Sequence, residues 1–261
     1  MDKRRFIKSL SALSFSPLIS ASKLTDFEPI LKTLPVIDNE DELWKTVRSH
    51  YTLKEEYINL ESGYYNIIPN PILEHFINHV KHVNIEGSFY MRKDLNKNKD
   101  RVTSELANLV GSSPNQIAIT RNATESLDLV ISGFRWKKGD EAIYALQDYG
   151  SMQDMFEQIS KRYNVVLKKV SIPNHPSNDE EIVSIYKSQI TAKTKLIMVS
   201  HMVNITGQIL PIKKICRMAK NYGVQVLVDG AHCVGHFDFK IEDLGCDYYG
   251  SSLHKWLATP L

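Results

Sequence analysis

From about Asn115 onward, short runs of apolar and β-branched residues alternate with segments whose apolar positions recur at three- and four-residue spacing. Val224-Gln225-Val226-Leu227-Val228 is such a run, and its apolar character on both faces fits a strand covered on both sides. The pattern predicts strands at Gln116 to Thr120, Glu141 to Leu146, Asn164 to Val170, Lys195 to Ser200, Val224 to Val228 and Tyr248 to Gly250. Helices fall between them. One starts near Thr124 and sets Leu127, Val130, Ile131 and Phe134 on a single buried face. Another opens at Pro211, buries Ile212, Ile215, Cys216 and Ala219, and ends at Gly223, a residue suited to a C-terminal cap. Strands that alternate with helices make an α/β fold, a mostly parallel sheet flanked by helices.

Ahead of this region, Pro69-Asn70-Pro71 opens a helix running to about His82, and a second helix, Lys99 to Val110, carries Val102, Leu106, Leu109 and Val110 on one side. Residues 23–60 read as an N-terminal arm with Trp44 and Tyr57 as anchors, leaving 61–261 as the main domain. Residues 1–22 differ in character: Lys3-Arg4-Arg5-Phe6-Ile7-Lys8, an apolar stretch from Leu10 to Ile19, then Ser20-Ala21-Ser22. This is the layout of a twin-arginine-like signal peptide with lysine in place of the first arginine, and it implies a periplasmic or exported protein. The alternative is a basic, disordered tail on a cytoplasmic protein. The apolar stretch is too short to span a bilayer, so no stable membrane anchor is expected.

With 261 residues, 43% of them hydrophobic, the chain can bury a substantial core. Its 32 basic and 30 acidic residues are interspersed, which argues against a nucleic-acid partner. Cys216, Cys233 and Cys246 have no metal-ligand spacing and are expected as buried or half-buried free thiols, so no metal is predicted. The absence of Gly-x-Gly-x-x-Gly and of a Gly-Lys-Ser/Thr loop weakens dinucleotide and nucleoside triphosphate readings.

The chemistry concentrates at strand ends. Asp229 closes the Val224–Val228 run, and Lys255 follows 26 positions later in Ser251-Ser252-Leu253-His254-Lys255-Trp256. A lysine that forms a Schiff base and a buried carboxylate facing a pyridine nitrogen are what pyridoxal phosphate (PLP) requires. His232 is placed to bond the cofactor's phenolic oxygen, with a structural histidine as the alternative. Thr120-Arg121-Asn122-Ala123-Thr124-Glu125-Ser126 joins a strand to a helix, so the amides of Ala123 and Thr124 and the Thr124 hydroxyl suit a phosphate. Taken alone, an ordinary cap of Asn122 with Glu125 is the better explanation of that segment. Ser252 and His254 add two further phosphate ligands, and Asp247 is expected to cap or buttress the strand that follows it.

Asp229-Gly230-Ala231-His232, Ser252-Leu253-His254-Lys255, Arg121-Asn122-Ala123-Thr124-Glu125 and Val203-Asn204-Ile205-Thr206-Gly207-Gln208 resemble the class V aminotransferase family over about residues 55–261. These are fold-type I PLP enzymes, among them cysteine desulfurases, kynureninases and isopenicillin N epimerase-like proteins. The resemblance implies Tyr149 as the ring stacked on the cofactor and Asn204 as a residue lining its pocket, beside Asp229, His232 and Lys255 as catalytic groups. Histidine at 232 is similar to the kynureninase and epimerase-like branches, since desulfurases generally carry glutamine there. Leu60-Glu61-Ser62-Gly63-Tyr64-Tyr65 matches only loosely and yields no site residue. The resemblance further implies an amino-acid substrate, a homodimer when full length, and a C-terminal small domain that is missing after the lysine. Transamination, epimerisation and elimination or lyase chemistry all remain open. So do two other readings, a non-catalytic truncated remnant that at most binds PLP, and an α/β binding domain whose lysine is incidental.

Overall fold

The computed structural model describes residues 39–260. The twin-arginine-like segment 1–22 and the arm up to residue 38 lie outside the described residues. Two compact units divide the chain. One is Met1–Leu109 with Ser113–Ala118 and Leu257–Leu261, the other Val110–Ser112 with Ile119–Trp256.

The described part of the first unit is helical: α1 (Glu40–Ser49), α2 (Asn70–Glu86), α3 (Ser88–Lys93) and α4 (Leu95–Val110). Asn39 caps α1 by accepting from the Asp41 amide at 2.9 Å. Trp44 and Tyr57, expected as anchors, are instead 49% and 60% exposed. Helix α2 runs past His82 until Gly87, whose φ of +53° ends it. Buried Tyr90 on α3 joins its neighbours, with its hydroxyl 3.3 Å from His79 Nε2 and accepting from Asn98 Nδ2 at 3.1 Å. Helix α4 starts at Leu95, ahead of the predicted Lys99, because the polar run 96–99 offers no apolar periodicity to read. Among the described residues no helix is long and apolar enough to cross a membrane.

The second unit holds a five-stranded sheet of β1 (Glu141–Ala145), β2 (Val166–Val170), β3 (Thr194–Ser200), β4 (Gln225–Asp229) and β5 (Tyr248–Gly250). The order is β2-β1-β3-β4-β5 and every pairing is parallel. Helices α5 (Ala123–Gly133), α6 (Gly150–Tyr163), α7 (Asp179–Lys187), α8 (Ile212–Lys220) and α9 (Ile241–Leu244) accompany it. Strand side chains alternate between two cores, as the pleat requires. Ala142, Tyr144, Leu196, Met198 and Leu227 pack with Leu127, Ile131 and Phe156, whereas Ile143, Ile197, Val199, Val226 and Val228 pack with Ile182, Ile215 and Ala219.

Gly223 closes α8 as expected. At φ +68° it lets its own amide bond the Lys220 carbonyl while the Val224 amide reaches back to Ala219, and β4 follows almost at once. Two strand predictions need correction. Asn164 does not begin β2, because it caps α6 in the left-handed region at φ 55°. Gln116 to Thr120 is not a strand either. Pro114–Gln116 is a 3-10 turn, and no strand among the described residues pairs with 117–120. A β-rich run becomes a strand only when a neighbouring chain takes up its N–H and C=O groups.

Candidate active site

Parallel pairing brings the carboxyl ends of all five strands to one edge of the sheet. Chain connections leave β1 toward β2 and β3 toward β4, so the β1/β3 junction is the crevice where open α/β sheets bind ligands. Asp148 and Tyr149 follow β1, Ser200 and His201 end β3, Asp229 ends β4, and residues 251–256 follow β5.

Lys255 and His232 meet here, with Nζ 3.1 Å from His232 Nε2. The other ring nitrogen, Nδ1, accepts from the Trp256 indole N–H at 3.3 Å. Burial, then the nearby Lys255 charge and His236, pulls His232 down to about 4, so its imidazole is neutral near pH 7. His254 is lowered too, by burial and by Lys255.

Asp229 is 7% exposed and its Oδ1 accepts from the Ala231 amide at 3.0 Å. Burial raises its carboxyl above the usual range; the Ala231 bond and Lys255 pull it back in part. The turn after it admits only glycine at 230, since a Cβ there would fall inside the Tyr249 ring. That ring's hydroxyl lies 3.0 Å from His201 Nδ1. His201, 4% exposed among Phe237, Phe239 and Tyr249, is driven down to about 4 by burial alone. Its amide bonds the Asp229 carbonyl at 2.8 Å.

A second buried carboxylate lies at the β1/β3 junction. Asp148, 4% exposed, accepts from Ser200 Oγ at 2.7 Å and from the Ala145 amide at 2.7 Å, tying the ends of two strands together. Burial, reinforced by the Asp229 charge, pushes it from 3.8 to about 7. The folded chain therefore holds a proton that the unfolded chain releases near pH 4, and Asp148 costs stability as pH rises through that window. Relative to Asp148→Asn, wild-type stability is expected to fall between pH 4 and about 7. The drop should be on the order of 4 kcal/mol. Urea unfolding of both proteins across that range checks it, and a pH-independent difference would contradict it. Contributions from His201 and His232 are common to both proteins and cancel.

At the start of α5 the plain cap is present, and the Ala123 amide, expected as a phosphate ligand, is engaged within the chain. Asn122 Oδ1 accepts from the Glu125 amide at 2.9 Å, and Glu125 Oε2 accepts from the Arg121 amide at 2.6 Å. The Ala123 amide donates to Ser252 Oγ at 3.0 Å, although the two lie 129 positions apart in sequence. That hydroxyl keeps its own proton to donate, and beside it the Thr124 amide is a first-turn N–H with no intrahelical acceptor. Asn204 and Tyr149 are exposed, the latter at 45%. The expected cysteine states hold, with Cys216 and Cys233 buried, Cys246 half-buried and all three free. Asp247, expected to serve the strand that follows it, instead supports β4, accepting from the Val226 amide at 2.8 Å.

Sequence reasoning missed Asp148, Ser200, Trp256 and His236 as parts of this site. Asp148 adjoins Tyr149, but its bond to Ser200 spans 52 positions and leaves no local pattern. Trp256 adjoins Lys255 and was legible only as a neighbour.

The sequence model for "Aminotransferase class-V" matches residues 69–260. Isopenicillin N epimerase of Streptomyces clavuligerus is 29% identical over 217 residues, covering 83% of this chain and 54% of the epimerase. A probable cysteine desulfurase of Synechocystis sp. is 27% identical over 228 residues, covering 82% of this chain and 53% of that protein. Among solved structures, a C-DES mutant with glycine covalently linked to the PLP cofactor superposes with a TM-score of 0.70 at 25% identity, covering 77% of this chain and 53% of that one. The cystine C-S lyase C-DES in complex with its product cysteine persulfide gives a TM-score of 0.69 at 27% identity, covering 77% and 54%. The chain thus spans about half the length of the relatives it matches.

Proposed function

The chain belongs to the aminotransferase class-V family, and from that premise we propose that it carries the cofactor site of a PLP-dependent enzyme that transforms an amino acid, with Lys255 as the residue that holds the cofactor. Its sheet and flanking helices are the large domain of a fold-type I enzyme. The observation that carries the proposal is the meeting of Lys255 Nζ with His232 Nε2 at 3.1 Å on the strand edge that also bears buried Asp229.

The residues fit the group. Asp229 is a buried carboxylate whose charged form lacks solvent, and a protonated ring nitrogen would meet that need. The Thr124 amide and hydroxyl and the Ser252 hydroxyl sit at a helix N-terminus, which favours a phosphate. His254 and Asn204 border the same edge, and Tyr149 offers an exposed ring beside it. When bound, PLP supplies an aldehyde for attachment and a ring that draws electrons from the substrate's Cα. Lys255 contributes Nζ twice, first as the point of attachment and, once released, as the base that takes and returns the Cα proton. His232 faces Nζ and positions it. Epimerisation, transamination and elimination all begin with that proton transfer, and the pocket's remaining side chains direct its outcome.

The test is chemical. Protein incubated with PLP and reduced with borohydride is expected to carry the cofactor mass on the peptide containing Ser252 to Trp256. No adduct, or an adduct confined to another lysine, would remove the proposal's basis.

A further inference from the structure

We infer that Trp256 is a positioning residue whose indole N–H fixes His232 in the tautomer with its proton on Nε2, the nitrogen that faces Lys255. An indole nitrogen only donates, so at 3.3 Å from Trp256 Nε1 the His232 Nδ1 must offer a lone pair. A neutral imidazole carries one N–H, which therefore sits on Nε2. Burial, the largest of the causes that lower its pKa, keeps the ring neutral.

That assignment decides what the 3.1 Å contact between Nε2 and Lys255 Nζ is. With the proton on Nε2 the histidine donates and Nζ accepts. Only an unprotonated amine can do so, and that is the form that attacks an aldehyde. The same Nε2–H remains a donor to any oxygen that later takes the place of the amine.

Trp256 is itself held in place. Its ring stacks on His236 with centroids 3.8 Å apart and planes 9° from parallel. His236 Nδ1 lies 3.0 Å from the His232 carbonyl, which only accepts, so His236 donates from Nδ1 and its ring plane is set. The chain of control runs from the His232 backbone through His236 and Trp256 back to the His232 ring.

The consequence for capture rests on the reading of Lys255 as the cofactor-holding amine, whereas the tautomer is a property of the chain by itself. In cofactor-free protein labelled with 15N-histidine, long-range 1H–15N correlation at pH 7.5 is expected to show His232 as the Nε2–H form, its signal assigned by loss in His232→Asn. An Nδ1–H form in the wild type would overturn the inference. Trp256→Phe keeps an aromatic ring over His236 and deletes the donor. In it, His232 is expected to move toward the Nδ1–H form; an unchanged tautomer would also overturn the inference. Capture of PLP by Trp256→Phe at the same pH is expected to slow about tenfold, the effect of roughly one hydrogen bond on a protonation equilibrium. Failure of the wild type to capture PLP, with the tautomer as assigned, would defeat the proposed function and leave the role of Trp256 standing.

Discussion

Lys255→Ala is expected to abolish the borohydride-stable PLP adduct while leaving reversible uptake of the cofactor. Attachment needs an amine at one place, and the Lys255 Nζ beside His232 is the one on this edge that the described site positions. Uptake draws on other residues, namely Asp229, the start of α5 and Ser252. The variant also loses the proposed base, so any turnover of an amino acid should fall on the order of 10²–10⁴-fold beyond any defect in binding. Mass spectrometry after reduction reads the first effect, and absorbance titration with PLP reads the second. An adduct that survives the substitution would place the attachment on a different lysine and detach His232 from the chemistry.

Asp229→Asn should separate binding from folding. The buried carboxylate already has a raised pKa, because burial opposes its charged form. Its charge is therefore a cost to the cofactor-free chain and a gain only when a cation faces it. Asparagine keeps an oxygen for the Ala231 amide, a 3.0 Å bond in the wild type, and drops the charge. PLP should bind more weakly by about 2 kcal/mol or more, a roughly 30-fold higher Kd. The cofactor-free variant should unfold no more easily than the wild type. Titration and thermal unfolding on the same preparation give both values. A variant that is unstable but binds PLP normally would make Asp229 a structural residue.

How much of this was legible in the sequence depended on distance along the chain. Strand β4 and helix α8 could be read because each is a self-contained pattern, an apolar run and an amphipathic turn closed by Gly223. Asp229 and Lys255 could be read because a strand end and a short motif mark them. Gln116 to Thr120 failed because pairing depends on a neighbour that the local pattern cannot report. Ala123 and Ser252 were each read as phosphate ligands, yet their bond to one another was invisible at 129 positions' separation. Asp148 was passed over for the same reason, since what makes it unusual is Ser200 and the burial that two strand ends impose.

The close approach of Tyr249 to Gly230 sets a boundary for anyone redesigning this strand edge. A side chain at 230 would push the Tyr249 ring aside, and the His201 contact would go with it. Because the His201 amide also bonds the Asp229 carbonyl, that disturbance would spread over three neighbouring strands. Position 230 should therefore stay fixed in any variant library, while Ile205, exposed on its turn, offers ground for randomisation that leaves the sheet edge intact.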